Sequence, residues 1–510
     1  MPKMRKFLLA CLSGLLLSLI FPKFDIEILA WVSLVPLLFA IKGENPLTSL
    51  YLGFAAGLVS FLGILYWVIV AINTYGGIHL ILSGLILLLL VVYLSLYVAV
   101  FAFLLNYIRQ RVQWDMLVVA PFLWVSLEYV RSFFLTGFPW ATLGYSQYLN
   151  LPLIQVADIT GVYGISFLIL LVNSAVYDFI SSIGHRERTP VREGVIVLTI
   201  LSVVFAYGIV KLRKVETISS SQRKTTIGLA QGNIDQGIKW DPAYQEKTLQ
   251  IYQDLSFTLA REQPSLIIWP ETATPFFFQS EEKYRPPMLE IPEKTGAYLL
   301  FGSLSYEWSR GNVKYYNSAY LISPRREVIG RYDKIHLVPF GEYVPLSELL
   351  FFLGSLSATG NLSPGKTVQN LRFPSGDFGV LICFEIIFPN LCRKFVKRGA
   401  TFLVTITNDA WFGRTSAPHQ HLSMATFRAI ENRVCIARAA NTGISAFIDA
   451  KGEILKKSHL FVEEALVGQV SPKIEETFYT RYGDIFALIT SAVALIFVLL
   501  AYLKRVLIFL

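Results

Sequence analysis

Long apolar runs, each able to cross the hydrocarbon of a bilayer as a helix, constrain this chain more than any other feature. A spanning helix needs about 17 to 25 residues. Runs near that length lie at 6–22, 26–41, 50–72, 79–107, 114–134, 162–183, 193–212 and 484–503. They predict a polytopic α-helical membrane domain of about eight transmembrane helices. The second run is short. The fifth carries Glu128 and Arg131, three apart on one helical face and so placed to pair.

Seven runs precede a long segment of different character, and one follows it. The expected division is 1–214 for seven helices, 215–480 for a globular domain and 481–510 for a last helix. Basic residues in short loops set orientation. Lys3, Arg5 and Lys6; Lys42; Arg109 and Arg111; Arg186, Arg188 and Arg192; and Lys504 with Arg505 fall at alternate ends of the spans. Those ends, and both termini, are expected in the cytoplasm, which puts the long segment outside it, in the periplasm of a bacterium. Lys211, Arg213 and Lys214 run against this rule. The net charge of +9 is spread among loops and helix ends rather than gathered in a run, which fits anionic lipid headgroups and not nucleic acid.

Cys11, Cys383, Cys392 and Cys435 have no paired spacing, so no disulfide framework is expected. The start resembles a secretory signal, and Leu8-Leu9-Ala10-Cys11 a lipoprotein cleavage box. Only Phe7 to Ala10 precede that cysteine as apolar core, short of the about 7–15 residues a signal needs, so the segment reads as an uncleaved first span.

Within the long segment, strand-like and helical patterns alternate. Strands are expected at 226–231, 265–269, 297–303, 319–322, 380–383 and 402–407, and helices at 242–261 and 421–434. Strands separated by helices imply an α/β layered domain. Leu353 to Gly365 reads as a mobile loop.

Three motifs carry chemistry. Gly379-Val-Leu-Ile-Cys383-Phe-Glu385 sets a cysteine at the end of an apolar strand. Ile267-Ile-Trp-Pro-Glu271 sets a carboxylate past another, and Arg331-Tyr-Asp-Lys334 supplies an ammonium. A cysteine with a free pKa near about 8.5 is mostly protonated at neutral pH and needs a base or a cation to attack an acyl carbon. Glu271 suits the base, passing the proton on to the leaving group. Lys334 suits the developing oxyanion, aided by backbone N–H groups after Cys383. Alone, Cys383 reads as a core cysteine; Glu271 and Lys334 reverse that reading. Cys392 and Cys435 lack such company and read as packing residues.

In the order Glu, Lys, Cys these pieces resemble the nitrilase or carbon-nitrogen hydrolase superfamily. With the flanking spans and Gly137-Phe-Pro-Trp-Ala-Thr-Leu-Gly-Tyr-Ser146, they resemble its apolipoprotein N-acyltransferase family. The resemblance extends through Ala230-Gln-Gly-Asn-Ile234, Lys239-Trp240-Asp241 and Asn408-Asp-Ala-Trp-Phe-Gly413. It implies an αββα sandwich and a catalytic triad of Glu271, Lys334 and Cys383. It implies supporting roles for Glu342 and Glu385, with Glu342 holding Lys334, and substrate contacts from Trp240, Phe384, Tyr343 and Asn408. Phe384 stands where relatives often have tyrosine. Phe276 to Phe278, Phe351 and Phe352 are candidate lipid contacts, and segments near 353–365 or 273–293 are candidates to close over the site.

The implied reaction moves an acyl chain, the sn-1 group of phosphatidylethanolamine, through a Cys383 thioester to the α-amino group of a diacylglyceryl-cysteine at a lipoprotein N-terminus. No cofactor is implied. The expected partners are a phospholipid donor, a diacylglyceryl apolipoprotein acceptor and membrane lipids, with no nucleic acid and a monomeric chain. His419 and His421, two apart with no third ligand in view, are not assigned a metal. The rival readings are a membrane-tethered amidase, with water in place of the amine, and a transporter or scaffold carrying an inert nitrilase-like domain.

Overall fold

Among the described residues, five helices are long and apolar enough to cross a membrane: Pro46–Leu65, Leu80–Val112, Val162–Ser182, Val191–Ser221 and Ile485–Arg505. The computed structural model describes residues 2–183, 190–309, 311–343 and 361–509. The first run folds as Lys3–Leu19, 17 residues, and the fifth as Met116–Arg131, 16 residues. The second is not one helix. It divides into a 3-10 turn, Glu27–Trp31, and a short helix, Val35–Ile41, with proline in its first turn. The backbone groups freed by this break are taken up by Asn173, whose Oδ1 accepts the Leu34 N–H at 2.8 Å and whose Nδ2 donates to Ala30 O at 2.9 Å. In hydrocarbon such groups need a protein partner.

No ion pair joins Glu128 to Arg131 among the described residues. Instead, Glu128 Oε1 accepts the Leu143 N–H at 2.7 Å, and Arg131 Nη2 lies 3.5 Å from Thr142 Oγ1. Both side chains thus hold the irregular turn of the Gly137–Ser146 motif against the end of their own helix.

The chain forms two units. One comprises Met1–Ile69, Leu80–Arg213 and Tyr482–Leu510; the other comprises Val70–His79 and Lys214–Arg481. The expected boundaries near 214 and 481 do not provide for Val70–His79. This segment, π-helical over Val70–Tyr75, belongs to the second unit, where the Tyr75 ring meets the edge of Trp411 at 6.4 Å.

The second unit is a sandwich of two sheets. The first contains β1 (Thr225–Gln231), β2 (Leu266–Ile268), β3 (Thr274–Phe277), β4 (Tyr298–Ser309), β5 (Asn312–Ile322), β6 (Val328–Asp333) and β12 (Glu464–Val470), with β3 beside β4 and the rest in the order β12-β1-β2-β4-β5-β6. The second, ordered β11-β10-β9-β8-β7, contains β7 (Phe378–Ile382), β8 (Phe402–Thr407), β9 (Ile436–Ala440), β10 (Ala446–Ile448) and β11 (Ile454–Lys457). Pairing is parallel at β1–β2–β4 and β7–β8–β9. Every residue of β7 and β8 is buried, as continuous apolar runs covered on both faces should be. Helices Gln245–Ala260 and Arg285–Thr295 pack on the first sheet, and Pro389–Lys397 and Ala417–Asn432 on the second, giving the αββα layers.

Two expectations change here. The 273–293 stretch is no free loop: it holds β3 and most of the helix Arg285–Thr295, and Phe276 and Phe278 lie in the core with Trp269 and Phe301 rather than facing a lipid. Residues 344–360, including Phe351, Phe352 and most of the expected 353–365 loop, lie outside the described residues. The described remainder of that loop is tied down. Leu362 N–H donates to Glu342 O at 2.9 Å and Gly365 N–H to Lys334 O at 2.7 Å. A Cβ at Gly365 would stand 2.1 Å from Asp333 O, so only glycine admits this approach.

Candidate active site

Each of the main site residues follows the carboxyl end of a strand, where parallel strands leave a crevice. Glu271 comes after β2, Lys334 after β6, Cys383 after β7 and Asn408 after β8. Lys334 Nζ lies 3.5 Å from Glu271 Oε1 and 2.9 Å from Glu342 Oε2, with all three side chains under 10% exposed. Asn317 on β5, which sequence reasoning missed, bridges the two carboxylates: its Nδ2 donates to Glu271 Oε1 at 2.8 Å and to Glu342 Oε1 at 2.9 Å. The Asn408 N–H completes the hold on Glu271 Oε2 at 2.8 Å, and the Val338 N–H that on Glu342 Oε2 at 2.8 Å.

Glu385 is fully buried and binds the Lys334 and Cys383 segments to each other. Its Oε1 accepts from Tyr332 OH at 2.8 Å and from the Ile335 and His336 N–H groups at 2.7 and 3.1 Å, while Oε2 accepts from Ile382 N–H at 2.8 Å. The first three donors flank Lys334; the last immediately precedes Cys383. Burial pushes the Glu385 carboxyl up to about 7, against the pull of the backbone N–H groups and Lys334.

Cys383 has a left-handed φ of +53° and opens a short 3-10 turn, Cys383–Ile387. Burial and the neighbouring Glu271 push its thiol well up, and Lys334 only partly offsets them. The resting form of Cys383 is therefore the thiol. Alkylation of Cys383 by iodoacetamide is expected to be slow at pH 7 and to rise only well above the pH at which a free thiol ionises, about 8.5; mass spectrometry of the Cys383 peptide against pH checks this. Lys334 has the opposite bias. Burial lowers its pKa, but Glu342, Glu271 and Cys383 outweigh burial and hold it above the usual lysine range.

Of the expected substrate contacts, Trp240 is 39% exposed. Phe384 is buried, with its ring edge-on to Phe388 at 5.2 Å. The Tyr343 carbonyl accepts the Phe340 N–H at 2.7 Å. The Asn408 carboxamide is engaged with Gln236 and Asn441 at 2.8 and 3.0 Å, so its part in the site is the backbone N–H given to Glu271.

Lys239, which sequence reading singled out only as part of a motif, is fully buried. Its Nζ donates to Thr272 Oγ1 at 2.7 Å and to Glu271 O at 3.3 Å. Burial lowers it to about 7, partly opposed by Glu271. It pins the turn after the expected base, where Thr272 has φ +45°. Gly302 presses on the same turn from β4: a Cβ there would fall 2.4 Å from Thr272 N and 2.6 Å from Glu271 Cα. Gly302→Ala is expected to cost about 1–3 kcal/mol by overpacking and to cut activity about tenfold or more by shifting Glu271. Paired melting and rate measurements check this. Among the described residues no cluster of His, Cys, Asp and Glu could hold a metal, and Cys392 and Cys435 are buried free thiols.

A cysteine beside a carboxylate and a lysine, set at strand ends of a two-sheet αββα sandwich, defines a carbon-nitrogen hydrolase, and the profile of that family matches residues 226–479. The apolipoprotein N-acyltransferase N-terminal domain matches residues 13–175. An apolipoprotein N-acyltransferase of Geobacter metallireducens is 47% identical over 98% of this chain and 96% of its own length. Those of Pasteurella multocida and Haemophilus influenzae are 34% and 33% identical over 94% and 99% of this chain and 93% and 97% of theirs. The chain belongs to the apolipoprotein N-acyltransferase family. A solved structure from Saccharomyces cerevisiae, a member of branch 10 of the nitrilase superfamily, is 20% identical, covers 50% of this chain and 92% of that one, and has a TM-score of 0.38.

Proposed function

We propose that this membrane protein N-acylates lipoproteins, moving the sn-1 acyl chain of a phospholipid such as phosphatidylethanolamine through Cys383 to the α-amino group of a diacylglyceryl-cysteine. The observation that carries the reading is Lys334 held between Glu271 and Glu342 in the same crevice as Cys383. Cys383 Sγ attacks the ester carbonyl carbon while its proton passes to Glu271. Lys334 faces the oxyanion, where fixed positive charge favours the transition state over the neutral ester. Collapse breaks the bond to the glycerol oxygen, which leaves as an alcohol after taking the proton from Glu271. The lipoprotein amine then attacks the thioester, Glu271 takes a proton from the attacking nitrogen, and Cys383 leaves and is reprotonated. Splitting the transfer lets two bulky lipids use one site in turn.

An inner-membrane location in a bacterium is part of this reading, and the long apolar helices support it. The loop charges support a periplasmic catalytic unit and cytoplasmic termini; the reading takes the chain as a monomer divided at 1–214, 215–480 and 481–510, with Val70–His79 added to the second part. Incubation with phosphatidylethanolamine is expected to add one acyl mass to the Cys383 peptide, removable by hydroxylamine and discharged onto a diacylglyceryl-cysteine peptide. If free fatty acid or ammonia appeared without such an adduct, the amidase reading would replace this one.

A further inference from the structure

The helix Ala417–Asn432 carries His421 directly behind the nucleophile. Its imidazole is 1% exposed, and Nε2 lies 3.2 Å from the carbonyl oxygen of Cys383. A carbonyl only accepts, so Nε2 carries the hydrogen. Nδ1 lies between Arg438 Nη2 at 3.0 Å and Asp409 Oδ1 at 3.2 Å. The same Arg438 nitrogen donates to Asp409 Oδ2 at 2.6 Å, and both side chains are fully buried. Thr407 Oγ1 donates to Asp409 Oδ1 at 2.7 Å, and its oxygen also lies against the Cys383 thiol. Burial and the Arg438 charge lower the His421 pKa against the pull of Asp409 and the Cys383 carbonyl.

Cys383 needs such support. Its φ of +53° lies in the left-handed region, which a residue with a Cβ occupies only where its surroundings enforce it. The Cys383 carbonyl belongs to the peptide whose N–H follows the nucleophile, so whatever fixes this carbonyl fixes both the aim of Sγ and the direction of that N–H. Ile382 N–H is fixed by Glu385 on the other side of the cysteine.

We infer that His421 is a positioning residue: through its Nε2–H bond to the Cys383 carbonyl, seated by Asp409 and Arg438, it holds the strained nucleophile turn in the conformation that attacks the acyl carbon. This rests on Cys383 being the nucleophile and goes beyond it, because it assigns a buried histidine to the turn and not to a metal or to proton transfer.

The test compares full-length His421→Leu, His421→Gln and His421→Asn with wild type in acylation by phosphatidylethanolamine. Glutamine can place an N–H near the Nε2 position, whereas asparagine is too short and leucine has no donor. The expected result is a fall of about 100-fold in the acylation rate for leucine and asparagine with little change in donor KM, and recovery to within about tenfold of wild type for glutamine. Equal rates in all three variants, or a glutamine variant that fails to fold as leucine does, would overturn the inference in favour of plain core packing. If leucine alone fails to fold, glutamine must still exceed asparagine by about tenfold. Should wild type form no adduct, the function proposed above falls. Iodoacetamide labelling of Cys383 still decides the positioning role: the leucine variant must then differ from wild type and glutamine about fivefold or more, and equal labelling of all three would sink it.

Discussion

Cys383→Ser is expected to lower N-acylation by about 1,000-fold or more and to leave no acyl mass on the 383 peptide, with the fold intact. The argument lies in the base. In the proposed mechanism Glu271 accepts the Cys383 proton during attack, because burial and the Glu271 charge hold the thiol pKa up. A carboxylate is a weak base even for a thiol. A serine hydroxyl holds its proton far more tightly, so the same Glu271 cannot activate it, and the oxygen gains little from Lys334 before the proton leaves. Intact-mass measurement after incubation with phospholipid, together with a thermal melt, tests this. A serine variant that retained a tenth of the rate would mean that another group attacks the ester.

Lys334→Met is expected to fail in two ways at once. The ammonium lies within 3.5 Å of Glu271 and 2.9 Å of Glu342. Methionine fills a similar volume but leaves two buried carboxylates bridged only by Asn317. Removing one partner of such a group costs about 3–5 kcal/mol, and loss of the charge facing the oxyanion costs about 100–1,000-fold in rate. The stability loss also has a pH signature. The Lys334 pKa is raised, so its contribution is fully present below the ordinary lysine pKa, about 10.4, and fades as pH rises through the higher folded value. The wild-type advantage over the methionine variant in Tm is therefore expected to be level across neutral pH. A gap that closed on going from pH 6 to pH 8 would contradict the charge assignment.

Glu271 and Cys383 were legible as candidates because each follows an apolar strand that the sequence displays openly, whereas Lys334 follows the partly exposed β6 and was picked out by its motif. Strands at 402–407 and 226–231 were read within a residue, since central strands are continuous apolar runs. The helix expected at 421–434 is Ala417–Asn432: its first turn contains Pro418, tolerated there because the first turn's N–H groups have no partner within the helix. The strands β3, β6 and β9 to β12 were missed. β6 and β11 carry exposed residues and β12 is mostly half-buried, so their pattern is weak, and β3 and β10 are only four and three residues long. Asn317 could not be found from sequence, because one polar residue in a β-strand gives no sign that two glutamates from distant segments converge on it. The Glu128–Arg131 spacing was read correctly, but helical spacing shows only that two side chains share a face. It cannot show that the Gly137–Ser146 turn offers each a nearer partner.

The allotment of Val70–His79 to the catalytic unit makes that unit discontinuous in the gene. A cassette encoding 214–481 omits the stretch whose Val70 side chain stands 3.2 Å from where a Cβ on Gly413 would be and whose Tyr75 meets Trp411. Exchange of catalytic units between relatives therefore requires two inserts, with the short one carried inside the membrane-coding region, and recombination at a single junction brings together halves with different histories.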